Sequence, residues 1–342
     1  MAFQIIWFVL WGVLWAVYFM LDGFVFGSGM LQSFLGHNDT ERRIIINTVG
    51  PVWNGNEVWL ITAGGATFAA FPTTYALMFS YLYIALLLLL FSLIIRGVSF
   101  EFRGLVNSPT WRSVWDKAIF IGGFLPALLF GVAFGNIFKG FPMDAAGYHG
   151  SLIYLLNPYG LITGLLFVLL FLVHGALYQS VKTTGGLKER SASVAAKLWI
   201  PLLLVAVVFL GYTYKATHIF DNYLSNPLLL IVPVVAVLSL LAIRLFLAKK
   251  ALLKAFTASC LTILTVVGTG VVGLFPNLIP SSIDPQYSLT IYNSSSSQYT
   301  LVIMTVVAFI FVPIVILYKI WVYRIFRAPV TEKDVIENKE AY

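Results

Sequence analysis

The sequence has few of the residues that soluble proteins use for their surfaces and cross-links. Only 10% of its 342 residues are charged, and it contains a single cysteine, Cys260. Soluble domains carry about 25% charged residues, because their surfaces face water. One cysteine excludes an intrachain disulfide framework, a thiolate metal cluster and a C-x-x-C-H haem-attachment motif. We therefore expect most of the surface of this chain to face lipid.

Long apolar runs fill the sequence instead. Hydrophobic residues make up 60% and aromatic residues 16% of the chain, and the mean hydropathy is +0.91. Crossing a membrane takes about 20 apolar residues per helix. The first 21 residues carry no charge, so the first run is predicted to be a retained helix rather than a cleavable signal peptide. Nine runs are long enough, or nearly so: 4–26, 52–71, 74–95, 118–136, 158–180, 198–214, 226–246, 256–275 and 300–323.

The basic residues alternate between the connectors of these runs. With the N-terminus outside, 19 of the 21 Lys and Arg residues fall on the inner side, and only Lys139 and Lys215 lie outside. Such a distribution follows the positive-inside rule. The sequence therefore predicts an all-α integral membrane protein with nine transmembrane helices, an outer N-terminus and a cytoplasmic C-terminus. The net charge of +7 belongs to the cytoplasmic face, so no nucleic-acid partner is predicted.

A weak internal similarity indicates a duplication. The segment 19–23 in the first run resembles the segment 171–175 in the fifth. We predict one polytopic domain over residues 1–327, built from two four-helix units at 1–140 and 155–280 with a ninth helix at 300–323. Residues 328–342 are predicted to form a polar, frayed cytoplasmic tail.

Ionisable side chains inside predicted spans are costly in lipid and point to function. Asp22 lies late in the first run, Glu57 early in the second, and Arg96 at the end of the third, all in the cytoplasmic part of the membrane. In one interpretation, Asp22 and Glu57 line a hydrated inlet for protons, because burial disfavours the charged form of a carboxyl group. In the other, one of them pairs with Arg96 and fixes helix packing. The sequence leaves both open, and for Arg96 the structural role is favoured.

The second run begins with an unusually polar segment. Asn54 and Glu57 are three residues apart, and Trp53 and Glu57 four, so each pair shares a helix face. His174 is the histidine that lies within a predicted span, where it could ligate haem iron. A hydrogen-bonded structural role is favoured for it. We identify no metal site and no catalytic residue in this chain.

Several sequence runs match one family of membrane proteins. They are Leu21–Phe24, Gly50–Ala66, Arg96–Glu101, Gly131–Asn136, Leu156–Leu161, His174–Ala176, Phe275–Pro276 and Pro280–Ser282. Together they resemble the second subunit of the cytochrome bd quinol oxidases and extend across the chain. Within these runs Trp53, His174 and the pair Arg96 and Glu101 are candidates for structural or ion-pairing roles.

The resemblance implies a terminal oxidase of the prokaryotic plasma membrane that oxidises quinol and reduces dioxygen to water. It implies that the first subunit carries two b-type haems and one d-type haem. The present chain would carry no cofactor, complete an obligate heterodimer with that subunit, support assembly of its haem sites and supply a proton or oxygen route. A small accessory membrane subunit and lipid are further expected partners.

This sequence departs from the family at the proposed proton route. Many members have an aspartate where this chain has Asn54, and often a second acid where it has Val25. An amide cannot load a proton as a carboxyl group can. Either Glu57 and Asp22 carry the route, with Asn54 at its side, or this subunit conducts few protons and the partner subunit does so; the sequence leaves both open. Without the resemblance, the main alternative is a proton-coupled secondary transporter, and a purely structural membrane subunit is a third.

Overall fold

Helices of very unequal length follow one another along residues 1–337, which the computed structural model describes. The α-helices are α1 Ala2–Leu35, α2 Asp39–Val49, α3 Trp53–Ala70, α4 Pro72–Tyr81, α5 Tyr83–Phe102, α6 Pro109–Lys139, α7 Leu152–Leu155, α8 Pro158–Lys182, α9 Gly185–Ala216, α10 Asp221–Ser225, α11 Ile231–Ala248, α12 Leu252–Leu274, α13 Gln298–Ile325 and α14 Glu332–Glu337. Two antiparallel hairpins lie in connections: β1 Met143–Asp144 with β2 Gly147–Tyr148, and β3 Asn277–Ile279 with β4 Leu289–Thr290.

Within the described residues, eight helical segments are long and apolar enough to cross a membrane. They correspond to eight of the nine predicted runs, and the third run is divided between α4 and α5 by a break at Leu82. The second run forms α3, which is a helix but not one of the eight. Its first turn carries Asn54, Asn56 and Glu57, which lower its average hydropathy.

The connections gather at two ends of the helix bundle. At the end that we call the basic end, α2 packs against α14, Arg190 bonds to the carbonyl of Leu35, and Lys182 bonds to the carbonyl of Ala328. At the opposite end, the backbone of Phe141 pairs with that of Pro280, and Ser296 bonds to the end of α3. The long helices therefore run between these two ends of the bundle.

Two predicted boundaries are wrong. The first run was expected to end at residue 26, but α1 continues to Leu35, because Gly27 and Gly29 are buried at close helix contacts rather than placed in a connector. The tail was expected to be frayed, but residues 328–337 lie against the bundle. The backbone of Val330 bonds to that of Lys182 and Val335 is fully buried. Residues 338–342 of the predicted tail lie outside the described residues.

The central helix of the bundle is α1, which packs against α3, α6, α8 and α12. It crosses α8 at Gly27 and Gly175, where a Cβ on Gly27 would overlap the carbonyl group of Phe171. In lipid, helices associate through such close packing, because the hydrophobic effect does not drive them together. Near this crossing, the ring of Phe19 contacts a cluster of aromatic rings from α1, α6 and α8: Trp15, Tyr18, Phe130, Phe134, Phe167 and Phe171.

Candidate functional site

Three helices bring Asp22, Glu57 and Arg96 together inside the bundle. Nη2 of Arg96 on α5 donates to Oδ2 of Asp22 on α1 at 2.8 Å and to Oε1 of Glu57 on α3. We call these three residues the ion cluster. Asp22 and Arg96 are completely buried, whereas the side chain of Glu57 is 23% exposed. The cluster therefore reaches the surface of the chain only through Glu57.

Close helix packing holds Arg96 in place. A Cβ at Gly122 on α6 would lie 2.6 Å from the Cβ of Arg96, so only glycine allows α6 to approach α5 here. The guanidinium group also lies over the ring of Phe26, with Cζ 4.3 Å from the ring centroid. A cation over an aromatic face is stabilised by the negative face of the ring. Arg96 is thus positioned by packing as well as by charge.

The ion cluster contains two buried nitrogen atoms that bond to no protein atom among the described residues, Nε and Nη1 of Arg96. The hydroxyl of Tyr18, one helical turn before Asp22, interacts with the Asp22 carboxyl group. Buried polar groups almost always have a hydrogen-bond partner, which is often water. The cluster therefore offers hydrogen-bonding capacity for water between α1, α3 and α5.

The start of α3 lies beside the ion cluster, and α13 anchors it there. Gly50 and Pro51 interrupt the chain between α2 and α3. The side-chain amide of Asn56 donates to the carbonyl of Leu21 at 2.7 Å and accepts from the hydroxyl of Tyr323 at 2.9 Å. Asn56 thereby links α1, α3 and α13. Asn56 belongs to the polar start of the second run, but its contact with Tyr323 could not be predicted, because nothing in their spacing relates two positions 267 residues apart.

The other residues predicted around this site lie outside the ion cluster. Trp53 packs on α5, with its ring 5.7 Å from that of Phe100. Asn54 is exposed on the first turn of α3, and Glu101 is exposed near the end of α5. The structure therefore brings together Asp22, Glu57 and Arg96 but does not bring Asn54 or Glu101 to them.

His174 is completely buried between α1 and α12. Its Nδ1 lies 2.7 Å from Oγ of Ser259, its Nε2 lies 2.9 Å from the carbonyl oxygen of Met20, and its ring is stacked on Phe256. A carbonyl oxygen can only accept, so Nε2 carries the proton. Both ring nitrogens thus have protein partners, so neither is open to iron, and the surroundings of His174 do not fit a haem.

A second ion network, at the basic end, was not predicted. Asp116 on α6 accepts hydrogen bonds from Gln32, Arg42 and Arg103, and Arg103 also pairs with Asp39. These residues tie α1, α2, α5 and α6 together. Arg103 and Asp116 both lie between the third and fourth predicted runs, 13 residues apart, and these opposite charges in one connector were the available sequence signal.

Between the ion cluster and the opposite end, a cleft of about 610 Å³ opens between α1, α3, α4, α5 and α6. Aromatic and aliphatic side chains form nearly all of its lining, among them Trp11, Trp15, Phe68, Tyr75 and Phe134. An apolar cleft of this size suits a hydrocarbon chain rather than a polar ligand.

Comparisons with known proteins agree on one family. Residues 3–326 match the family model described as cytochrome bd terminal oxidase subunit II. The chain is 40% identical to the Escherichia coli K12 protein named cytochrome bd-I ubiquinol oxidase subunit 2, over 98% of this chain and 97% of that protein. It is 38% identical to the cytochrome bd ubiquinol oxidase subunit 2 of Bacillus subtilis, over 96% and 97% of the two chains. In fold it is similar to a chain of the bd oxidase from Geobacillus thermodenitrificans, with a TM-score of 0.79 at 20% identity, over 95% of this chain and 99% of that one.

Proposed function

The chain belongs to the cytochrome bd terminal oxidase subunit II family, and from this premise we propose how it serves the oxidase complex. The resemblance found in the sequence is thereby confirmed. The protein is a subunit of a terminal quinol oxidase, an oxidoreductase of the bacterial respiratory chain, and it lies in the plasma membrane. The comparisons lend no support to a secondary transporter.

We propose that the complex holds its haems, two of b type and one of d type, in the partner subunit I, where quinol is oxidised and dioxygen reduced. The residues of this chain support that division. His174 donates Nε2–H to a backbone carbonyl, and His149 and His218 bond to the carboxylates of Asp144 and Asp221 near the chain surface. These histidines therefore serve local contacts of the protein rather than iron.

We further propose nine membrane crossings, with α3 as the second and the basic end in the cytoplasm. The helices α1 and α5 both end at the basic end, so the chain between them must cross the membrane once more to return to the opposite end. The polar first turn of α3 is tolerated because Asn56 and Glu57 bond to other helices rather than face lipid.

For the domain organisation, we propose that the two four-helix units are related by a pseudo-two-fold axis. The pairing of α5 with α6 corresponds to that of α11 with α12, and the pairing of α1 with α3 to that of α8 with α9. The crossing of α1 and α8 at Gly27 and Gly175 lies between the units. The ninth helix, α13, lies outside them, with most of its surface exposed, and contacts the first unit through α1 and through the bond from Tyr323 to Asn56.

The proposed contribution of this chain to turnover is a proton route through Glu57 and Asp22. The observation that carries it is the gradient of burial within the ion cluster, from the partly exposed Glu57 to the fully buried Asp22. Both carboxylates bond to the same guanidinium nitrogen. Protonation of one carboxyl group therefore changes the electrostatic interactions of the other. Oδ1 of Asp22 and the hydroxyl of Tyr18 continue the line of polar groups into the bundle.

The exposed side of α3 is the proposed contact with subunit I. Gly64 and Gly65 have nothing within 4 Å of their Cβ positions among the described residues, and Glu57 is partly exposed on the same helix. An ionisable side chain in a membrane span ordinarily faces protein or a water-filled cavity rather than lipid. A helix of subunit I would pack closely against the two glycines and would lie next to the exposed part of Glu57. A small accessory membrane subunit, and acyl chains in the apolar cleft, complete the proposed partners.

Replacing Glu57 by glutamine tests the proton route. Glu57→Gln keeps the shape and a hydrogen-bonding oxygen but cannot carry a proton, so oxygen consumption by the purified complex should fall at least several-fold while its haem spectrum stays intact. Glu189→Gln is the matched control, because Glu189 is exposed on α9, away from the ion cluster. Normal turnover in the Glu57 variant would exclude this residue from the route.

A further inference from the structure

The ninth helix brings a lysine to the start of α3. A Cβ on Gly55 would overlap Nζ of Lys319, so the ammonium group lies in the space that a side chain at position 55 would fill. Four residues further along α13, on the same helix face, Tyr323 bonds to Asn56. Lys319 is therefore held at a defined place beside the first turn of α3.

We propose that Lys319 is the counter-charge that keeps both carboxyl groups of the ion cluster ionised at rest, and so sets when the cluster takes up a proton. This proposal deepens the proton route through Glu57 and Asp22 and rests on it. Lys319 is a positioning residue for protons: it acts on the carboxyl groups and does not itself transfer the proton.

The net charge of the ion cluster depends on Lys319. Asp22 and Glu57 carry two negative charges when ionised, and Arg96 supplies one positive charge. Lys319 interacts electrostatically with Asp22, and adding its charge makes the ionised cluster neutral. Without Lys319 the cluster would carry one net negative charge in a region of low dielectric constant, and protonation of a carboxyl group would relieve it.

The position of the ammonium group is the second argument. The N-terminus of a helix carries a partial positive charge, which disfavours a cation. Lys319 nevertheless lies against the first turn of α3, beside Gly55. The electrostatic attraction between Lys319 and the buried carboxylate of Asp22 offsets the repulsion from the helix end.

A lysine near the end of a last membrane span has a simpler explanation. Such side chains often extend toward the headgroups and anchor the helix. Lys319, however, is partly buried and extends to α3. Ionisable groups from every neighbouring helix face this region: Tyr18 and Asp22 on α1, Glu57 on α3, Arg96 on α5, Tyr178 on α8, Cys260 on α12 and Tyr323 on α13. Arg96 is the cation among these groups, and Lys319 adds a second positive charge to them.

The test compares Lys319→Met with Lys319→Arg in the purified, haem-containing complex. The probe is the infrared C=O stretching band of protonated carboxyl groups, recorded as a function of pH without turnover. We expect Lys319→Met to show additional protonated carboxyl signal at neutral pH and Lys319→Arg to resemble the wild type. Lys333→Met, at a lysine that is 76% exposed in α14, is the control. The additional signal should disappear when Glu57→Gln is combined with Lys319→Met.

Each outcome bears on the proposal. A Lys319→Met spectrum identical to that of the wild type would overturn it and leave Lys319 as a membrane anchor. If Lys319→Met prevents assembly, adding Glu57→Gln should restore it, because one negative and one positive charge are then removed together; failure to restore it would also overturn the proposal. If Lys319→Met changes the band while Glu57→Gln leaves turnover normal, the counter-charge stands and the proton route through Glu57 fails.

Discussion

Replacing Arg96 by methionine removes the only guanidinium group that bonds to both carboxylates of the ion cluster within the described residues. Methionine has a similar length and keeps the contact with the ring of Phe26, so charge is the main change. Asp22 is completely buried, and removing one partner of a buried ion pair costs about 3–5 kcal/mol, because the other charge stays buried and uncompensated. At about 1.4 kcal/mol for each tenfold change, the ratio of folded to unfolded protein should fall by about 10²-fold to 4 × 10³-fold.

Part of this cost can be avoided. Asp22 can take up a proton and become neutral, and then the loss is smaller than the upper figure. The double variant Arg96→Met, Asp22→Asn removes one charge of each sign, so it should be more stable than Arg96→Met alone. Arg112→Met is the control, because its ion pair with Asp39 is partly exposed and such pairs contribute about 1 kcal/mol or less.

The assay is the yield of haem-containing complex per unit of membrane, together with the midpoint of thermal unfolding of what assembles. We expect a large loss for Arg96→Met, partial recovery in the double variant and near-normal values for Arg112→Met. Wild-type yield and thermal stability in Arg96→Met would refute the claim that Arg96 holds α1, α3 and α5 together.

Three further predictions follow from the packing and the charges. Gly27→Val should prevent assembly, because its side chain would overlap the backbone of Phe171 and overpacking costs about 1–3 kcal/mol or more; a normal yield of complex would contradict the α1–α8 crossing. His174→Ala should leave every haem band of the complex in place, and loss of one band would show that this histidine does serve a haem. Burial raises the pKa of Glu41, but hydrogen bonds from Arg190 and a backbone amide outweigh it and hold that pKa below its ordinary value. This stabilisation is present above the pKa of the unfolded chain and is lost as the pH falls through the lower, folded pKa. The stability difference between the wild type and Glu41→Gln, about 1 kcal/mol or less, should therefore begin to shrink as the pH approaches the ordinary glutamate pKa of about 4.3 and vanish below the lower, folded pKa; a difference that persists once Glu41 is protonated in the folded chain would contradict the ion pair.

The helices could be predicted from the sequence because a helix that faces lipid needs a run of about 20 apolar residues. Boundaries were predicted less well. The helix α1 runs nine residues past its predicted end, because Gly27 and Gly29 serve close contacts with neighbouring helices that no local pattern encodes. The tail was predicted to be frayed because it is polar, and the structure shows that the ammonium group of Lys182 binds carbonyl groups at its start.

The candidate site could be predicted in part. A charge in an apolar run needs a partner, which directed attention to Asp22, Glu57 and Arg96. Whether Arg96 pairs with one acid or with both depends on how α1, α3 and α5 are placed, and the structure shows both contacts. Lys319 could not be connected with the start of α3, because the two meet only when the ninth helix packs beside the second run.

The most direct test of the account is a visible absorption spectrum of this protein, tagged and gently solubilised from its native membrane. The account predicts that a larger partner with b- and d-type haem bands is purified with it, and that the preparation consumes oxygen when quinol is added. A protein that is purified alone and colourless, from cells rich in the oxidase, would contradict its role as the second subunit of that complex.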